Sequence, residues 1–147
     1  MKKYLWPWML GGVLCACQPG GAPVGKPAGL WEGNQPAYPM TDATGAPRMV
    51  NGQPVRIAGS HFAFDLGADG WIACDQAQTD GRRYALTGQF THTTDEQGRW
   101  VVQTALDDGY SSGLRFFTLT LDPAAGTGMC TPPPPEPAFE VRLRQPK

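Results

Sequence analysis

The sequence lacks several features that define common classes of enzyme and membrane protein. It has only two histidines, His61 and His92, and no Gly-x-Ser-x-Gly motif that would present a nucleophilic serine. No window shows the 3.6-residue period of an amphipathic helix, so a helical fold is not expected. The longest apolar stretch, residues 4–14, would span about 16 Å as a helix, whereas a bilayer core is about 30 Å thick. A permanent transmembrane helix is therefore not expected.

Strong charge of one sign is also missing. The chain has 12 basic and 13 acidic residues, and they are dispersed along it. Because no basic patch is interleaved with aromatic residues, nucleic acid is not expected as a partner. The cysteines and histidines lack the close spacing of a zinc site, so we predict no metal, no cofactor and no catalytic residue. We interpret both histidines as surface or strand-end residues.

The N-terminus carries the most specific motif. Met1-Lys2-Lys3 is basic, the apolar stretch follows it, and the stretch ends in Leu14-Cys15-Ala16-Cys17. This arrangement resembles the lipobox of bacterial lipoproteins, in which the last cysteine is lipidated and becomes the first residue of the mature protein. The resemblance implies that residues 1–16 are a signal peptide and that Cys17 carries acyl chains such as palmitate. The alternative is an ordinary cleaved secretory signal, which leaves a soluble periplasmic protein.

The residue after the lipidated cysteine implies a location. In this family an aspartate at that position retains the protein in the inner membrane, and this sequence has Gln18. The resemblance therefore implies the outer membrane, on its periplasmic face, with the cell surface as the alternative. Residues 17–28 are rich in proline and glycine and are predicted to form a flexible, disordered tether. Residues 29–147 are predicted to form a single β domain.

Alternation of apolar and polar residues predicts the strands of that domain. The apolar phase repeats every second residue in several runs separated by turn residues, which is typical of antiparallel strands with one wet face. We therefore predict an all-β fold, a small antiparallel β-barrel or β-sandwich of about six to eight strands. The apolar sets are Phe62, Phe64 and Leu66; Tyr84, Leu86, Gly88 and Phe90; Trp100, Val102, Thr104 and Leu106; Phe117, Leu119 and Leu121; and Phe139, Val141 and Leu143.

Two cysteines remain after lipidation of Cys17 and loss of the signal peptide. In an oxidising compartment a Cys74–Cys130 disulfide is the natural pairing. The alternative is that the two thiols bind a metal ion.

Short sequence blocks resemble two families of β proteins. Gly29-Leu30-Trp31 resembles the glycine-x-tryptophan opening of lipocalin-type barrels. Residues 69–88 and 127–130 resemble the META-domain family of small bacterial envelope β proteins, in which a mid-chain cysteine and one after a Thr/Met-rich segment recur. The second resemblance implies a β fold with a disulfide, although Asp75 replaces the asparagine usual in that family.

The contact residues that we predict lie on and beside the polar loop 107–113. Asp107, Asp108 and Tyr110 belong to this loop, and Phe116 follows it on the side opposite the apolar phase. Phe116 is either covered by the proline-rich N-terminal segment or exposed as a binding contact. The proline-rich segment 131–137 is predicted to be a stiff bridge across the end of the fold.

These features predict a membrane-anchored lipoprotein whose β domain acts by binding. It would be an accessory subunit of an envelope assembly, an inhibitor or a protective protein, with an envelope protein as its partner. One alternative is a periplasmic hydrolase that uses carboxylates such as Asp65, Asp107 or Asp108. Another alternative is a carrier of a small hydrophobic ligand inside a barrel.

Overall fold

Twelve β-strands follow one another along residues 25–110 and 113–144, the part of the chain that the computed structural model describes. The predicted signal peptide and Cys17 lie outside the described residues. Within those two ranges, no helical segment has the length and apolarity needed to cross a bilayer. The strands are β1 (Gly29–Gln35), β2 (Tyr38–Pro39), β3 (Met49–Val50), β4 (Gln53–Pro54), β5 (Arg56–Ile57), β6 (Ser60–Leu66), β7 (Trp71–Gln78), β8 (Arg83–Thr94), β9 (Trp100–Asp107), β10 (Arg115–Asp122), β11 (Thr127–Thr131) and β12 (Phe139–Leu143).

Eight of these strands form a closed antiparallel barrel. Strands β6 to β12 follow one another around the ring, and β1 closes it between β12 and β6. In the closing strand, Trp31 pairs with Leu143 on one side and with Phe64 on the other. The all-β prediction is confirmed, and of the two architectures left open by the sequence the structure is the barrel.

Inward-facing side chains fill the barrel, because alternate residues of each strand point to its interior. Four phenylalanines pack there: Phe62 lies 5.6 Å from Phe64 and 5.2 Å from Phe139 between ring centroids, and Phe117 meets Phe62 edge-on at 5.6 Å. Burial of each such ring stabilises the fold by about 1.5–3 kcal/mol. The carrier alternative requires an apolar cavity, and this packed interior does not favour it.

The connections between strands differ at the two ends of the barrel. The tight-turn end has the short connections 67–70, 95–99 and 123–126. The long-loop end has the longer connections 36–59, 108–114 and 132–138, together with the short turn 79–82. The first of these contains two small sheets, β2 with β5 and β3 with β4. The β3–β4 turn is Asn51-Gly52, both at positive φ, as in type I′ hairpins. The proline-rich segment connects β11 to β12 at the long-loop end, where the predicted bridge was expected.

The chain reaches the barrel at its tight-turn end. Pro27 is fully buried there, and Trp31 Nε1 donates a hydrogen bond to the carbonyl of Ala28 at 3.2 Å. At the same end the chain leaves β12, where the Arg144 amide donates to the carbonyl of Leu30 at 2.8 Å. Among the described residues, packing against the barrel therefore already includes Pro27, which belongs to the segment 17–28 predicted to be tether.

Candidate functional site

The interior of the long-loop end is polar, unlike the rest of the core. Gln35, Ser60 and Gln76 are buried with 3 %, 2 % and 5 % of their surface exposed. Gln35 ends β1, Ser60 begins β6 and Gln76 lies two residues before the end of β7. All three point inward, as does Arg115 at the start of β10. Glu136 reaches them from the loop between β11 and β12. We call these five residues the polar network.

Arg115 is the centre of the polar network. Its Nη1 donates to Gln76 Oε1 at 2.5 Å, and its Nη2 donates to Glu136 Oε1 at 3.5 Å. Its guanidinium carbon lies 5.0 Å from the centroid of the Phe117 ring, within the range of a cation–π contact. Gln76 Nε2 in turn donates to Ser60 Oγ at 2.9 Å. The partly buried guanidinium is thus held by hydrogen bonds and faced by a carboxylate, which is what a charge in a poorly hydrated site requires.

Glu136 joins three parts of the chain. Its carboxylate accepts from Gln35 Nε2 at 3.2 Å and forms an ion pair with Arg115. Tyr38, in the 36–59 connection, lies close enough to this carboxylate for the charge to act on its phenol. Burial, and then the negative charge of Glu136, raises the pKa of Tyr38 to about 12. Glu136 therefore fastens the 132–138 connection to β1 and β10 and lies beside the 36–59 connection.

Neither histidine completes a nucleophilic pair with the buried serine. Ser60 points inward and accepts from Gln76, whereas its neighbour His61 points outward. His61 Nδ1 lies 2.9 Å from Asn34 Oδ1, and its Nε2 lies 3.7 Å from the Glu32 carboxylate. Prediction of the histidines as surface residues agrees with the exposed positions of His61 and His92.

A cleft of about 640 Å³ lies on the outside of the barrel at the same end. It is bordered by β7, by the first residues of β8 and by the loop after β9. Two short hydrogen bonds shape that loop: Asp107 Oδ1 accepts from the Gly109 amide and Asp108 Oδ1 from the Tyr110 amide, both at 2.8 Å. We call this cleft the β8 cleft. Its lining residues are Asp75, Gln76, Ala77, Arg83, Tyr84, Ala85, Asp108, Gly109 and Tyr110.

The structure places the four predicted contact residues on one hairpin, β9–β10. Asp108 and Tyr110 line the β8 cleft, and Tyr110 is 94 % exposed. Asp107 is the last residue of β9, on the outer surface. Phe116 is 55 % exposed, so of the two alternatives left open for it the exposed one is found.

Of the carboxylates of the hydrolase alternative, Asp65 is not brought together with Asp107. Asp65 and Asp107 lie in one row across the outer wall, connected through Ala73 and Thr87. Three strand spacings separate them, about 14 Å. Paired carboxylates in glycoside hydrolysis lie about 5–9.5 Å apart. Within residues 25–110 and 113–144, no cluster of three or more His, Cys, Asp or Glu side chains is arranged to hold a metal ion.

Cys74 and Cys130 are free thiols, so the disulfide predicted from the sequence is not formed in this structure. Both point into the barrel, but β7 and β11 are four positions apart around the ring of eight, on opposite walls. A disulfide needs Cα atoms within about 7 Å, and the packed interior keeps opposite walls apart. Burial raises the pKa of Cys74 to about 12 and that of Cys130 above its ordinary range.

Two features of the barrel were not predicted from the sequence. The first is the inward position of Arg115 and Gln76. Both lie two residues from an inward-facing residue, Phe117 and Cys74 respectively, so the alternation of each strand, followed for two more residues, would have placed them inside. Trp71 is 53 % exposed, because it alternates with the inward Ile72. It lies in one outer row with Gln89, Ala105 and Phe116.

Comparisons with known proteins do not identify a function for this chain. No protein-family model, no curated protein and no solved structure matches the chain. The resemblances noted in the sequence stay predictions. The long-loop end, with its polar network and the β8 cleft, is the candidate functional site.

Proposed function

We propose that this chain is a membrane-anchored envelope lipoprotein whose β-barrel binds a protein partner without catalysing a reaction. Cys17 would be the lipid anchor, and the outer membrane, on its periplasmic face, would be the location. The domain would be an accessory subunit of an envelope assembly, an inhibitor or a protective protein. This proposal takes its anchor from the lipobox-like motif and its binding site from the β9–β10 hairpin.

The observation that carries the binding role is the exposure of two large aromatic side chains on that hairpin. Tyr110 is 94 % exposed and Phe116 is 55 % exposed, while the neighbouring Phe117 is buried. Exposed aromatic residues next to a cleft are typical of residues that dominate binding energy at protein interfaces. The polar network supports the same role, since it holds Glu136 of the 132–138 connection against β1 and β10, and an ordered connection loses less entropy on binding.

The position of the hairpin also fits an anchored protein. The chain reaches the barrel at the tight-turn end, so an anchor at Cys17 would be attached there, and the hairpin lies at the opposite end. From Cys17 to the buried Pro27 the chain can extend by at most about 35 Å. A partner on the same membrane would therefore meet the long-loop end at a limited distance from the lipid surface.

The test is crosslinking and affinity capture from intact envelopes. We expect the wild-type chain to capture a defined partner, and the variants Tyr110→Ala and Phe116→Ala to capture at least about tenfold less of it. Met129→Ala is the matched control, since Met129 is 41 % exposed on β11, where it pairs with Thr120, four residues along β10 from Phe116. Cys17→Ser should reduce capture by releasing the protein from the membrane.

Two results would contradict the proposal. Equal capture by Tyr110→Ala, Phe116→Ala and Met129→Ala would show that the hairpin is not the binding site. Capture of no partner, together with measurable hydrolysis of an envelope polymer by the purified protein, would favour the enzyme alternative.

A further inference from the structure

Strand β8 is longer than the neighbour that pairs with it. Its register with β9 ends at Thr87, which pairs with Asp107, and four residues of β8 lie beyond this point. On the other side, β7 remains paired along this stretch, down to Arg83 with Ala77. Among residues 25–110 and 113–144, residues 83–86 are therefore paired with one neighbouring strand only. We call them the β8 overhang.

The backbone groups of the β8 overhang point in known directions. Phe90 donates to Gly70 and Arg82 accepts from Gln78, so even-numbered residues of β8 bond towards β7. Asp95 bonds to Arg99, so odd-numbered residues bond towards β9. In an antiparallel sheet these directions alternate strictly. The N–H and C=O groups of residues 83 and 85 therefore point to the side where β9 has already ended.

The space on that side is the β8 cleft. Its lining includes Arg83, Tyr84 and Ala85 on one side and Gly109 and Tyr110 on the other. The described part of the loop leaves the register of β9, since Gly109 would stand opposite Ala85 if the ladder continued, and the ladder stops at Asp107. A cleft of about 640 Å³ thus lies beside a short sheet edge, and such an edge is a template for another extended chain.

Charge on the outer wall fixes which extended chain fits. A residue added opposite Ala85 would lie in one row with Ala85 and Asp75, whose Cα atoms are paired. Two strand spacings, about 10 Å, separate the added residue from Asp75, and the small Ala85 leaves the path between them open to a long basic side chain. The next outward residue would stand opposite Arg83, where an acidic side chain is favoured.

We propose that the β8 overhang binds an extended segment of a protein partner as an added antiparallel strand, with a basic residue opposite Ala85 and an acidic residue opposite Arg83. This inference rests on the proposed binding function and specifies how the partner is held. Backbone hydrogen bonds to residues 83 and 85 supply the part of the affinity that does not depend on the sequence of the bound segment. The outward charges supply register and selectivity.

The first experiment uses two capped peptides of identical composition and the full-length protein. The probe is acetyl-Thr-Val-Lys-Thr-Glu-Thr-amide, and its control, acetyl-Thr-Val-Glu-Thr-Lys-Thr-amide, exchanges the two charges. Amide hydrogen exchange is followed by NMR at Ala85 and, as an internal reference, at Thr87, which is already paired with Asp107. We expect the probe at millimolar concentration to slow exchange at Ala85 about tenfold and to leave Thr87 unchanged. Unchanged exchange at Ala85, or equal slowing by both peptides, would overturn the inference.

Two variants separate the backbone contribution from the charge contribution. Ala85→Pro removes an N–H that faces the cleft and not β7, so we expect it to abolish slowing by the probe at Arg83. Asp75→Asn leaves the backbone unchanged and should lower the affinity for the probe about fivefold. Asp65 is an exposed carboxylate on β6, away from the cleft, so Asp65→Asn should leave the affinity unchanged. If Ala85→Pro fails to fold, the Asp75→Asn comparison and the charge-exchanged peptide still decide the question.

Partner capture distinguishes failure of this inference from failure of the proposed function. Loss of capture in Tyr110→Ala, with full capture in Asp75→Asn and Ala85→Pro, would overturn strand addition and leave the binding function standing. Full capture in all three variants would overturn both. Loss of capture in all three supports both.

Discussion

The carboxylate of Glu136 provides the sharpest test of the polar network. It accepts a hydrogen bond from Gln35, lies near the Tyr38 phenol and faces the Arg115 guanidinium at 3.5 Å. Glu136→Gln keeps the size and one acceptor oxygen but removes the charge. Hydrogen bonds to a charged group contribute about 1.5–3 kcal/mol and neutral ones about 0.5–1.5 kcal/mol. The Glu136 and Arg115 side chains are 20 % and 28 % exposed, so solvent reduces the difference.

We therefore expect Glu136→Gln to lower the free energy of unfolding by about 1–2 kcal/mol, and Tm by about 4–8 °C for a domain of this size. Thermal unfolding followed by circular dichroism measures the change. Glu140→Gln is the matched control, because Glu140 is an exposed carboxylate on the outer wall of β12, and it should shift Tm by less than about 2 °C.

A double-mutant cycle with Arg115→Met tests whether the two charges act together. If they do, the double variant is less destabilised than the sum of the single variants by about 1 kcal/mol. Strict additivity, or an effect of Glu136→Gln no larger than that of Glu140→Gln, would refute the account of the network given above.

Three further outcomes are expected. In a spectrophotometric titration at 295 nm, one tyrosine should titrate near pH 12, and this titration step should be absent in Tyr38→Phe. Because the pKa of Tyr38 is raised in the fold, its contribution to stability is full below pH 10 and is lost as pH rises towards 12. Cys74 and Cys130 should resist a thiol reagent in the folded protein, so unfolding in denaturant should expose two additional reactive thiols, whereas equal counts before and after unfolding would indicate a disulfide. A Cβ atom on Gly88 would lie against the Ala105 carbonyl oxygen, so Gly88→Ala should reduce stability by about 3 kcal/mol or more in urea unfolding, whereas Gly113→Ala, with open space around it, should change it by less than about 0.5 kcal/mol.

The period of two was sufficient to predict the strands because nearly every barrel strand has one apolar side. Phe117, Leu119 and Leu121 are buried as predicted, and so are Phe62 and Phe64. Closure was not predictable in the same way. Pairing of β1 with β12 joins segments from opposite ends of the described chain, and the local pattern of each strand is equally compatible with the faces of a sandwich.

The candidate site was predictable only in part. Exposure of Tyr110 follows from its place in a polar loop, and both Asp108 and Tyr110 do line the cleft. The polar network depends on how far each strand extends past the apolar core and on which loop covers the end. Glu136, in a proline-rich connection, meets Arg115 only because β11 and β12 bring that connection over the mouth of the barrel. Sequence alone contains no signal for that approach.

Closure of the ring by β1 has a consequence for the order of folding. Each of β6 to β12 finds its partner through a connection of limited length, so these hairpins can form locally, whereas β1 must wait for β12 before its second edge is paired. If the chain is exported as proposed, and leaves a translocation channel N-terminus first, the barrel closes only after β12 has crossed. A chain truncated before Phe139 would expose the edges of both β1 and β11, and we expect it to aggregate.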